Sequence, residues 1–240
     1  TNKNIFFSAL PKTISGDQTV ANFYESEKFV GEITIPIPGL HNLSNTVAAI
    51  AACRLAGITF KEIKKGLNKI TTPGRRFEFK GVWDGRMIVD DYAHHPSEIN
   101  ATISMAKLML HNKGILPKKA KRIVAIFQPH RYSRTSRFMN EFAKALVEAD
   151  IIFLAPIYSA GETPIDEVNS NELRDLMKVK SPEKKIFSSN TIQELKALMI
   201  KYTSIEDLIL LMGAGDINRI CNELKIEVQL NKKVKEVFSI

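Results

Sequence analysis

Apolar residues along this chain recur in two rhythms, and the change between them falls near residue 40. Up to Ile37 the alternation has period two in places. Glu32-Ile33-Thr34-Ile35-Pro36-Ile37 sets its isoleucines on one face of an extended chain, which predicts short antiparallel strands over residues 1–37 with a turn at Gly16-Asp17. Pro38-Gly39 breaks that pattern. An alanine-rich helix is expected over residues 42–56, closed by Gly57, and a short lysine-rich amphipathic helix over 59–70. Turn residues cluster at Thr71-Thr72-Pro73-Gly74, the clearest domain boundary in the chain. Beyond it, short apolar runs alternate with helical segments. Strands are expected at 77–82, 86–90 (with a turn at Asp84-Gly85), 123–126, 151–155, 185–187 and 208–212. Helices are expected at 96–110, 137–149, 171–178 and 191–202. That alternation predicts an α/β fold, Rossmann-like, with a mostly parallel sheet covered by helices on both faces.

Composition adds limits. The 240 residues allow one large domain or two modest ones, and 44% hydrophobic with 25% charged is the balance of an ordinary globular protein. No apolar run approaches a membrane span and no signal peptide opens the chain, so no membrane partner is expected. Cys53 and Cys221 fit no metal or redox motif and read as buried small residues in a reducing, cytoplasmic compartment. The net charge of +8 suits anionic small substrates as well as nucleic acid. Nucleic acid is not expected, because aromatic and basic residues are not interleaved and the run 118–122 reads as an exposed loop. A start at Thr1, with strands following at once, suggests a piece of something longer.

The candidate chemistry gathers after predicted strands. Residues 127–135 read Phe-Gln-Pro-His-Arg-Tyr-Ser-Arg-Thr, and Pro129 stops the preceding strand. His130, Arg131, Tyr132 and Arg134 therefore fall at a strand's C-terminal edge, where open α/β sheets bind ligands. If the next helix starts early, Arg131 and Arg134 share a face and form a guanidinium pair for a carboxylate or phosphate. A solvated basic turn is the alternative. Asn42 and Asn45 also share a helix face and offer the donor–acceptor pair that reads an adenine edge, although Asn42 could instead be an N-cap. Arg75-Arg76 at the domain joint could reach phosphates or simply be solvated. Asp90-Asp91-Tyr92-Ala93-His94-His95-Pro96 ends a strand with carboxylates suited to ribose hydroxyls. Adjacent histidines rarely converge on one ion, so no metal ligand is assigned. Gly213-Ala214-Gly215-Asp216-Ile217-Asn218 lacks the third glycine of a dinucleotide fingerprint and reads as a tight strand-to-helix turn.

Three of these segments together resemble the Mur ligase family, the ATP-dependent amino-acid ligases of peptidoglycan synthesis. They are Gly39-Leu40-His41-Asn42-Leu43-Ser44-Asn45, Gly74-Arg75-Arg76-Phe77-Glu78, and the stretch from Asp90 to Pro96. The stretch from Phe127 to Thr135 and Tyr158-Ser159-Ala160-Gly161-Glu162 resemble the branch that adds L-alanine to UDP-N-acetylmuramate. The resemblance implies ATP and Mg2+, an acyl phosphate on the lactyl carboxylate, and attack by the amine of L-alanine. It implies adenine contacts from Asn42 and Asn45, ribose contacts from Asp91, and an interdomain role for Arg76. It places Tyr92, His94, His130, Arg131 and Arg134 around the incoming amino acid and the reacting groups, with His94, Arg131 and Arg134 as catalytic candidates. No Gly-x-x-x-x-Gly-Lys-Ser/Thr loop is present. Residues 1–74 are therefore expected to be the C-terminal part of a P-loop-type ATPase domain, with the UDP-binding domain, the phosphate loop and the metal ligands upstream. Residues 75–240 are expected to be the complete amino-acid-binding domain. A ligase acting on recycled peptides shares the His-His-Pro segment and is the rival within the family; a basic nucleic-acid-binding domain, resting on the net charge alone, is the rival outside it.

Overall fold

Two separate cores organise the chain. The computed structural model describes residues 6–15, 18–70, 74–111, 116, 119–224 and 226. The expected turn at Gly16-Asp17, Lys118 and the linker residues 71–73 lie outside the described residues. Residues 6–70 belong to one compact unit and most of those from 74 onward to a second.

In the first unit, β1 (Phe7–Ile14), β2 (Thr19–Glu25) and β3 (Lys28–Ile35) form an antiparallel sheet in the order β1-β2-β3. Period-two alternation puts Ala21, Phe23, Ile33 and Ile35 on the buried face. There they pack with Leu43 and Ile50 of α1 (Leu40–Leu55) and with Ile63 and Leu67 of α2 (Phe60–Leu67). Thr59 closes a capping box: its hydroxyl accepts from Glu62 N–H, and the Glu62 carboxylate accepts from Thr59 N–H. The β2–β3 turn is Ser26-Glu27, both left-handed at φ 45° and 68°. No glycine or asparagine announces that turn in the sequence.

The second unit is a six-stranded sheet in the order β4-β5-β9-β6-β7-β8. Its strands are β4 (Glu78–Trp83), β5 (Arg86–Asp91), β6 (Arg122–Phe127), β7 (Ile151–Leu154), β8 (Lys185–Ser188) and β9 (Asp207–Met212). Only β4 runs antiparallel among these described strands. The α/β fold with a mostly parallel sheet is thus as expected. Both faces are covered, so β5, β7 and β9 are buried at every position. On one face Val124, Ile126, Ile209 and Leu211 pack with Leu195 and Met199 of α7 (Ile192–Tyr202). Alternate positions point the other way, where Phe127 meets Phe142 of α5 (Met139–Leu146) at 5.1 Å. The remaining helices are α3 (Pro96–His111), α4 (Tyr132–Arg137), α6 (Ser170–Lys180) and a short α8 (Ile220–Glu223).

Several expectations need correction. The single helix expected over 137–149 is two: α4 starts five residues earlier, and Phe138 (φ −113°, ψ 19°) separates it from α5. Arg122 is not loop; it opens β6, and its Nε and Nη2 donate to Asp207 at 2.8 Å each. Cys53 and Cys221 are only half-buried, each on the margin of a core. Burial still pushes the Cys221 thiol up to about 11, so it stays protonated.

Candidate active site at the strand tips

Parallel strands all end on one edge, and β5, β9, β6 and β7 are neighbours in the sheet. Four loops therefore emerge side by side: residues 92–95, 213–216, 128–131 and 155–162. Backbone pairing continues into them. Gly213 N–H donates to Asp91 O (3.1 Å), Gln128 N–H to Met212 O (2.9 Å) and Ala155 N–H to Phe127 O (2.9 Å). Further out, Tyr158 N–H donates to Pro129 O and Arg131 N–H to Tyr158 O, both at 2.8 Å. The floor of the site is an extension of the sheet, which holds side chains far more precisely than free loops would.

Arg131 and Arg134 arrive at this edge in different states. The helix does start early, but Arg131 stands before it as N-cap with a left-handed φ of 72°, exposed. The two arginines do not share a helical face, and that expectation is corrected. Arg134 is half-buried, one turn into α4, and its Nη1 is buried without an acceptor among the described residues. The His130 ring lies between two others, stacked on Tyr158 (5.5 Å) and edge-on to His94 (5.9 Å). Its Nδ1 is also buried without a partner among the described residues. Burial first, then the charges of Arg134, His94 and Arg131, hold its pKa below the ordinary histidine range, so the ring is neutral at pH 7. Tyr132, next to this cluster, is half-buried.

His94 and His95 diverge. His94 Nδ1 lies 2.9 Å from Tyr92 O and 3.3 Å from Glu98 Oε2, so Nδ1 is the donor and Nε2 is the nitrogen turned away from both. His95 Nδ1 pairs with Ser97 Oγ (2.8 Å), and its ring meets Phe138. Glu98 fastens both from below, accepting from His94 N–H (2.9 Å) and His95 N–H (3.2 Å) at the start of α3.

Asp91 is buried. Its Oδ2 accepts from Phe77 N–H (2.9 Å) and its Oδ1 from Ala93 N–H (2.8 Å). Burial outweighs both bonds and pushes the pKa to about 6. Between the unfolded-chain value of about 3.9 and the folded value, the folded state binds the extra proton. Stability from Asp91 is therefore full below that lower value and is lost as pH rises through about 6. Unfolding free energies of the wild type and Asp91→Asn, measured across this window, should show the wild type's advantage shrinking as pH rises. An advantage that grows with pH contradicts the assignment.

Arg76 is half-exposed, its guanidinium 5.6 Å from the Tyr92 ring centre and 3.9 Å from Glu98 Oε1. In the first unit, Asn42 does not cap α1. Gly39 holds that place, while Asn42 Nδ2 donates to Pro38 O (2.8 Å) from within the helix; Asn45 is exposed.

Three supports lie in segments quoted from the sequence above but were given no role of their own there. Gln128 is buried, donating to Asp216 Oδ1 (2.9 Å) and accepting from Ile217 N–H (3.0 Å). Glu162 accepts from Ser133 N–H (3.0 Å) and Oγ–H (2.6 Å), tying the loop after β7 to α4. Tyr158 backs His130. The paired glycines of Gly213-Ala214-Gly215 were the one available signal, since both lie against Gln128.

Comparison with known proteins accords with this geometry. The family described as "Mur ligase, glutamate ligase domain" matches residues 75–215. A UDP-N-acetylmuramate–L-alanine ligase from Prochlorococcus marinus (strain MIT 9303) is 51% identical over 225 residues, 93% of this chain and 46% of that protein. The crystal structure of a UDP-N-acetylmuramate-alanine ligase from Thermotoga maritima superposes with a TM-score of 0.68 at 26% identity, covering 91% of this chain and 44% of that one. A murein peptide ligase from Psychrobacter arcticus gives 0.66 at 19% identity over 98% of this chain and 45% of that one, which is a likeness of fold alone. The chain spans about half the length of the curated relatives it matches. By the family match and by its fold, it belongs to the Mur ligases.

Proposed function

We propose that this chain is the C-terminal portion of an ATP-dependent ligase that joins L-alanine to UDP-N-acetylmuramate in peptidoglycan synthesis. Residues 1–74 would belong to its ATP-binding domain and residues 75–240 would form the domain that holds the amino acid. The observation that carries this reading is the pair of buried, unanswered polar atoms at the strand tips, Arg134 Nη1 and His130 Nδ1. A buried donor without an acceptor is costly, and a carboxylate is the group that best satisfies a guanidinium.

Within this reading Arg134 takes the carboxylate of L-alanine. Arg131, exposed at the mouth, lends its charge to the reacting acyl phosphate or tetrahedral centre. Tyr92 and the neutral His130 bound the amino acid. His94, whose Nδ1 donates to Tyr92 O, accepts through Nε2 the proton that the alanine ammonium must lose before its nitrogen can attack. ATP supplies the phosphoryl group that activates the lactyl carboxylate. The residues present fit it: Asn42 keeps its Oδ1 and one amide hydrogen, Asn45 is exposed, and each oxygen of ionised Asp91 retains accepting capacity for a ribose hydroxyl. Arg76 is the half-exposed cation available to phosphates. No Mg2+ ligand is assigned here: among the described residues no three His, Cys, Asp or Glu side chains gather, and the metal's ligands would lie in the part of the ligase ahead of this chain.

The full-length protein should release ADP in the presence of UDP-N-acetylmuramate and L-alanine, and not when L-alanine is replaced by L-alanyl-γ-D-glutamyl-diaminopimelate. Preference for the tripeptide would instead support the peptide-recycling reading.

A further inference from the structure

We propose that Arg75, a residue with no part in the site described above, positions Tyr92 and Arg76 for the ligation, an inference that rests on the function just assigned. Arg75 joins more elements than any one of its neighbours needs for packing alone. Its Nε donates to Asp90 Oδ2 at the end of β5 (3.2 Å), its Nη1 to Gly215 O (3.2 Å) and its Nη2 to Gly213 O (2.5 Å) in the turn after β9. Its backbone N–H donates to Glu78 Oε2 (2.8 Å), and its backbone carbonyl accepts from Tyr92 N–H (2.7 Å). The same guanidinium sits 5.1 Å from the centre of the Tyr92 ring.

Two consequences follow for the residues beside it. Tyr92 is held at its backbone by Arg75 O and at its ring by the Arg75 guanidinium, with Arg76 5.6 Å from the same ring. Arg76 is flanked by left-handed residues, Arg75 at φ 58° and Phe77 at φ 50°. Non-glycine residues keep such angles only where their surroundings dictate them. Here Asp90 and Asp91 dictate them, Asp90 through the Arg75 side chain and Asp91 through Phe77 N–H. The clamp holds a half-exposed cation and a half-exposed ring in place at the edge of the sheet. Asp90 is 1% exposed with Oδ1 unanswered, so Arg75 is its charge partner in a dry setting. Lysine cannot copy the role, since three acceptors on two elements require the planar fork.

The test uses Arg75→Lys and Arg75→Met in the full-length protein. If Arg75 positions, the KM values for L-alanine and ATP rise by about tenfold with kcat within about threefold of wild type. If Arg75 only supports the fold, the active fraction falls and kcat drops at unchanged KM, which overturns the proposal. A second readout needs no turnover. With 3-fluorotyrosine in place of the tyrosines, and the Tyr92 resonance assigned by Tyr92→Phe, both Arg75 variants should move the Tyr92 fluorine signal in the resting protein. An unmoved signal, or failure of both variants to fold, also overturns it. Absence of alanine ligation in the wild type would count against the assigned function instead, and the fluorine signal would then decide the positioning claim by itself.

Discussion

Arg134→Met is expected to cost the full-length enzyme about 10²–10³-fold in kcat/KM for L-alanine, because it removes the charged partner of a buried carboxylate. The expectation rests on burial. Nη1 of Arg134 is buried with no acceptor among the described residues, which leaves it free to take the ligand's carboxylate. Arg134→Lys keeps the charge and loses the fork, and should raise KM for alanine while leaving kcat near wild type. Arg131 stands exposed before the helix, so its contribution grows only as charge develops at the reacting carbon. Arg131→Lys should therefore lower kcat more than it raises KM. Kinetics with alanine varied at saturating ATP separate the two. Wild-type constants in both lysine variants would make the arginines a solvated turn.

Gly215→Ala is the second large effect, and it acts through stability. A methyl group there would lie 2.4 Å from Gln128 Oε1 and 2.7 and 2.8 Å from Cγ and Cβ of Tyr158. Neither neighbour can yield cheaply. Gln128 is tied at both ends of its amide, and Tyr158 is hydrogen-bonded through its backbone to Pro129 and Arg131. The overpacking should cost about 2–3 kcal/mol and, because Tyr158 backs His130, should also weaken alanine binding. Gly66→Ala provides the contrast. Gly66 lies inside α2 at an ordinary φ with no atom within 4 Å, so alanine there should stabilise by about 0.5–1 kcal/mol. Denaturant unfolding of both variants checks the pair.

Much of the fold was legible because its signals are local. Buried parallel strands announce themselves as apolar runs, and Ile123–Ile126 and Leu208–Met212 were placed within a residue or so of β6 and β9. Their order in the sheet was not legible. That β9 lies between β5 and β6 depends on long-range pairing that no short window encodes. The early start of α4 was equally hidden, because it hangs on a left-handed Arg131 and not on a glycine or proline. The strand-end rule put His94, His130, Arg131 and Arg134 at the tips of the sheet, where the structure also has them, but it did not give the environment of each side chain. Nothing in Arg-Tyr-Ser-Arg says which guanidinium is buried, since that is decided by α4 and by the loops from neighbouring strands. Gln128 and Glu162 were given no role for the same reason: their partners lie 88 or 89 and 29 residues away.

The central claim is that the edge formed by His94, His130 and Arg134 receives the amino acid. A crystal structure of the full-length protein with ADP and L-alanine tests it most directly. The alanine carboxylate should lie within hydrogen-bond distance of Arg134 Nη1, with the amine on the side of His94 Nε2. Alanine bound elsewhere, with Arg134 Nη1 still unanswered, would contradict it.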